Sequence, residues 1–137
     1  MADSVSVLDS IAGHLEFLGY EITKDPEKKL FRAKHARQPN LRVRELGGGI
    51  LFTTVWGGNE TAKSDGAGFL RAINALNEKA VVARFYTDHD DSDLGFFVEA
   101  WQPSLYDKCK FGEFLDALRH DFQLLGDEEV DIKKYLS

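Results

Sequence analysis

Ala72-Ile73-Asn74-Ala75-Leu76-Asn77-Glu78, followed at once by Val81-Val82-Ala83-Arg84-Phe85-Tyr86, is the stretch whose reading decides the fold. Its first half belongs to a helix with an apolar stripe at Phe69, Ile73, Leu76 and Ala80, the three- and four-residue spacing of one helical face. Its second half is β-branched and aromatic, and the spacing predicts a strand over Val81 to Thr87. A helix that hands over directly to a strand, with strand-like segments on either side, points to a mixed α+β domain.

Working outward, Val5, Leu8, Ile11, Ala12, Leu15 and Leu18 predict an amphipathic first helix, capped by Asp3 or Ser4 and ended by Gly19. Extended structure begins at Tyr20-Glu21-Ile22 and breaks at the turn Asp25-Pro26-Glu27. Leu30 to Ala36 and Leu41 to Leu46 alternate between polar and apolar; Leu41 and Val43 face one way, Arg42 and Arg44 the other. Gly47-Gly48-Gly49 reads as a hairpin turn into Ile50 to Trp56, because glycine accepts the positive φ such turns require. A second hairpin joins Val81–Thr87 to Leu94–Trp101, and Pro103 stops the last strand. The closing helix places Phe111, Phe114, Leu115, Leu118, Phe122 and Leu125 on one stripe, with Gly126 at its end. The expected architecture is therefore α-βββ-α-ββ-α, a twisted antiparallel sheet packed by three helices. Residues 1–125 are read as one domain, and 126–137 as a C-terminal tail, either a short docked helix or a mobile end.

Composition narrows the function. The 137 residues carry ten Phe, four Tyr and two Trp, enough bulk for a core without disulfide or metal. The single Cys109 forms no intramolecular disulfide, and no signal-peptide or membrane-spanning segment is apparent, so the chain reads as cytoplasmic with no membrane partner. The net charge of −6 argues against nucleic acid. Basic residues concentrate between Lys24 and Arg44, where alternation with apolar residues suggests the solvent side of strands, with a local anion-binding face as the alternative.

The order of elements resembles the type III secretion chaperone-like fold, in particular its YbjN-type branch of predicted sensory-transduction regulators. The likeness is carried by Leu70-Arg71-Ala72-Ile73-Asn74-Ala75-Leu76-Asn77, the Ala83-Arg84-Phe85 strand, Gly19-Tyr20 after the first helix, and the helix from Phe111 to Phe122. It spans roughly residues 5–125. It implies a small, acidic, often dimeric domain that binds another protein and catalyses nothing, with no shared catalytic residue.

Candidate chemistry is sparse. Counting Asp88 as position one, Asp90 falls at three, Ser92 at five and Glu99 at twelve of a calcium-loop pattern. Position six is Asp93 where the loop wants glycine, and Glu99 sits in a strand-like run, so a solvated hairpin tip is the plainer reading. Cys109, flanked by Lys108 and Lys110, has no histidine partner by spacing, and His14, His35, His89 and His120 form no ligand set. Gly57-Gly58 and Gly66-Ala67-Gly68 lack both nucleotide-binding fingerprints. The expectation is a non-catalytic protein-binding module, chaperone-like or a regulatory adaptor, acting as a homodimer and needing no cofactor. Its interface anchors are Trp56, Phe97 and Trp101. The alternatives are a small-ligand or divalent-metal-responsive sensor using the Asp88–Asp93 turn, and a hydrolase with an unrecognised site.

Overall fold

In the structure, a computed structural model, residues 6–25, 27–88 and 94–137 are described. The elements are α1 (Val7–Phe17), β1 (Glu21–Asp25), β2 (Leu30–Lys34), β3 (Leu41–Leu46), β4 (Gly49–Gly57), α2 (Glu60–Ser64), α3 (Gly66–Lys79), β5 (Arg84–Thr87), β6 (Gly95–Pro103) and α4 (Lys108–Gln123). Two short 3-10 turns follow, η1 (Leu124–Gly126) and η2 (Ile132–Tyr135). The strands form one antiparallel sheet in the order β1-β2-β3-β4-β6-β5, so the α+β class holds. Details in two of the connections differ from the sequence reading, and the start of β5 differs as well. Glu21–Asp25 pairs as a strand of its own, and Asn59 caps a separate short helix ahead of Asp65, which caps α3. The start of α1 is held by Ser6, whose hydroxyl accepts from the Asp9 N–H; Asp3 and Ser4 lie outside the described residues.

The chain divides into two compact units, one formed by the chain up to Thr54 with Trp101–Glu113, the other by Val55–Ala100 with Phe114–Ser137. In the first, α1 lays Ile11 and Leu15 on the strand face that carries Phe31, Ala33, Leu41, Val43 and Phe52, all buried. Val43 lies opposite both Phe31 and Phe52, and Phe111 packs its ring 6.0 Å from Phe52. Each buried Val, Leu, Ile or Phe side chain among these contributes roughly 1.5–3 kcal/mol by leaving water. The β3–β4 hairpin turns on Gly47 and Gly48, at φ 59° and 77°, with Leu46 paired to Gly49. This two-residue turn matches the strand twist only with positive φ at both positions.

In the second unit, Phe69, Ile73 and Leu76 of α3 pack with Phe85, Phe96 and Val98. Leu125, Val130, Ile132 and Tyr135 complete that cluster, so the chain after α4 is docked through η2. The strand predicted from Val81 begins instead at Arg84. The reason is Asp121 of α4, fully buried, whose carboxylate accepts the N–H groups of Val81, Val82 and Ala83 at 2.8, 2.8 and 2.7 Å. Those three amides are aimed at one carboxylate and cannot serve a sheet ladder. Next to them, Asn77 binds both main-chain groups of Phe85: its Oδ1 accepts the N–H and its Nδ2 donates to the C=O, both at 2.9 Å. β5 is an edge strand, and Asn77 occupies hydrogen-bonding groups that would otherwise be open to a foreign strand.

Burial by itself raises the Asp121 pKa, but the N–H bonds from Val81, Ala83 and Val82 and the His120 contact outweigh it and leave the acid below its usual value. A depressed folded pKa means the unfolded chain takes up the proton more readily. The Asp121 contribution is therefore complete above the ordinary aspartate range of about 3.9 and is lost as pH falls through the folded value. Asp121→Asn should lower unfolding stability by about 2–4 kcal/mol in urea at neutral pH and flatten the acid limb of the stability curve. A loss below about 0.5 kcal/mol, the size of an ordinary surface change, would show that these bonds do not hold the loop.

Candidate interaction surface

The three aromatic anchors proposed from sequence have separate environments. Trp56 is half-buried, with its ring 6.1 Å from Phe96 and 6.3 Å from Phe122, so it packs against the core of its unit. Val55 and Phe97 adjoin Trp56 and Phe96 in sequence and by strand alternation point to the opposite face. There Phe97 stacks on Tyr86 at 4.8 Å with rings nearly parallel, and the Arg84 guanidinium lies 5.8 Å from the Tyr86 ring. Val55 is 53% exposed and Tyr86 37%.

Trp101, in the first unit, is 48% exposed. Its indole N–H donates to the Leu46 carbonyl at 2.8 Å, and the ring covers Gly49. A Cβ at Gly49 would collide with the Trp101 ring and the Gln102 carbonyl, so glycine is needed there for close approach rather than for its φ.

The acidic-turn candidates are not brought together. Asp90 and Ser92 lie outside the described residues, as does His89. Asp88 is exposed at the end of β5, while Glu99 is buried within β6 and its Oε1 takes two hydrogen bonds from Arg84, at 3.1 and 2.6 Å. The Tyr86 hydroxyl also interacts with Glu99; burial first, and this contact second, raise the tyrosine pKa. Among the described residues no group of three or more His, Cys, Asp or Glu side chains could hold a metal ion. Cys109 is exposed in the first turn of α4. His14 instead meets the Tyr106 hydroxyl at 2.9 Å and the edge of Phe111. At the start of α3, Asp65 accepts the Gly68 N–H at 3.0 Å and the Tyr135 hydroxyl at 3.1 Å. That carboxylate takes the place a phosphate would need.

Strand register reveals what the sequence left open. On the face of β1–β4 opposite α1, Thr23, Arg32, Arg42 and Thr53 form one cross-strand row, and Asp25, Leu30, Arg44 and Leu51 the next. Lys34 stands opposite Glu21. The alternation of Arg42 and Arg44 with Leu41 and Val43 was readable; the pairing that sets Arg32 directly across from Arg42 was not.

An α+β domain with one antiparallel sheet and a pinned edge strand is the class these features define. A solved structure similar to it is the crystal structure of YbjN from E. coli, described there as "a putative transcription regulator". The two match with a TM-score of 0.71 over 98% of this chain and 99% of that one, at 16% sequence identity. The YbjN-like fold expected from the sequence is thereby established. No family model matches the chain, and no curated protein matches it by sequence. No helix among the described residues is long and apolar enough to cross a membrane.

Gly49→Ala should cost about 1–3 kcal/mol by overpacking against Trp101, and should shift the tryptophan emission as the ring is displaced. Unchanged stability and emission would mean that Trp101 does not rest on Gly49.

Proposed function

We propose that this chain is a non-catalytic protein-binding module, a regulatory adaptor that works as a homodimer. The observation that supports this best is the apolar cluster of Val55, Tyr86 and Phe97, which stands on the strand face opposite the Trp56–Phe96 core. Its aromatic rings are already stacked and its cation is already paired to Glu99, so little side-chain freedom remains to be lost on association. Large, pre-ordered aromatic side chains are the residues on which interface energy concentrates. The description of YbjN as a transcription regulator is in keeping with a regulatory role.

An isologous pair would bring Val55 and Tyr86 of one copy against the same residues of the other. Light scattering on a sizing column should give twice the chain mass of 15.4 kDa for the wild type. Val55→Glu and Tyr86→Glu should remain folded and run as monomers, because each places an unpaired charge in the contact. Trp56→Glu should instead unfold the protein, since its ring packs on Phe96 and Phe122. A monomeric wild type, or dimers in both surface variants, would overturn the homodimer.

A further inference from the structure

Like charges directly opposite one another across a strand pair are destabilising. Yet Arg32 faces Arg42 on neighbouring strands, with Arg44 two residues further along β3 and Lys34 two residues further along β2. Arg32, Lys34 and Arg42 are exposed, and among the described residues no carboxylate forms an ion pair with any of the four. The cost is maintained in an acidic chain of net charge −6, where carboxylates to relieve it are plentiful. The charge is also unevenly divided. The unit holding these strands has ten basic and nine acidic residues, the other seven basic and fourteen acidic.

We infer that this strand face is a binding surface for an extended, acidic polypeptide segment that also carries apolar side chains. The inference rests on the protein-binding reading above and names the class of partner. Three features select that chemistry. The arginine guanidinium is a planar fork that matches a carboxylate bidentately, and arginine supplies three of the four cations. Alternate residues on a strand lie about 7 Å apart on one face, so an extended segment with acids at every second position repeats at the Arg42–Arg44 interval. The face also carries exposed Leu46 and Trp101 in the same unit, which give apolar side chains of the segment a place to bind. A nucleic-acid strand is disfavoured because its dense phosphate charge is repelled at long range by a chain of net charge −6, whereas a short acidic segment carries few charges.

The test uses the full chain and two fluorescein-labelled probes of equal charge: a peptide alternating glutamate with leucine, about eight residues long to match a strand, and a single-stranded oligodeoxynucleotide. Anisotropy should show the peptide binding more tightly, with affinity falling as salt rises. The double substitution Arg32→Ala, Arg42→Ala should weaken the peptide at least about tenfold, a loss of about 1.4 kcal/mol. Arg32→Lys, Arg42→Lys should recover only part of it, because charge returns without the fork. Both variants should fold at least as stably as wild type, since repulsion between facing cations has been removed or left as it was. No peptide binding, equal binding by the double alanine variant, or tighter binding of the oligonucleotide would each overturn the inference. Failure here is separable from failure of the homodimer. The arginine variants should keep the wild-type mass by light scattering, and Val55→Glu should keep the peptide affinity.

Discussion

A buried carboxylate that collects three successive main-chain N–H groups is the constraint on which the second unit depends. Asp121 has no exposed surface, and a charge in such a place is tolerated only when hydrogen bonds replace the lost water. The amides of Val81, Val82 and Ala83 supply them. In return the segment between α3 and β5 is tied to α4 at three successive amides, and β5 starts at Arg84. That start fixes which residues of β5 face inward: Phe85 lies opposite Val98 in the core, and Arg84 and Tyr86 stand opposite Glu99 and Phe97 on the other face. A one-residue slip in the pairing of β5 with β6 would exchange the two sets.

Asn77 adds a second constraint at the same place. Helix α3 ends two residues later, and its side chain reaches the edge strand to satisfy the N–H and C=O of Phe85 together. A polar side chain thus does for Phe85, at the sheet edge, what another strand would do. The apolar contact proposed for self-association accordingly lies on the sheet face and not along this edge. Face contacts are made by side chains, which select their partners; edge contacts are made by the backbone, which is the same in every protein.

The two strand faces discussed here differ in chemistry. Around Tyr86 and Phe97 the surface is aromatic, with Arg84 and Glu99 neutralising each other. Around Arg32 and Arg42 it is cationic, with one guanidinium directly across from the other. Aromatic, neutral surface suits contact with an identical copy, because like meets like without repulsion. Positive charge suits a partner of a different kind, because a second copy of the same cations would add to the repulsion already present.

By itself the sequence determined the α+β class, the positions of the main helices and the β3–β4 turn. These are local properties: an apolar stripe at helical spacing, alternation in Leu41 to Leu46, and glycines that accept positive φ each act within a few residues. The Asn77 side chain was legible only as part of a helix pattern, and Asp121 only as a polar position in the last helix. Their roles arise from partners eight and about forty positions away in the chain. Tertiary structure alone decided that Val81–Ala83 are not strand, that Glu99 belongs to Arg84, that Trp101 rests on Gly49, and that Arg32 faces Arg42. Register and the destination of a hydrogen bond are set by segments distant in sequence, and no periodicity within one segment encodes them.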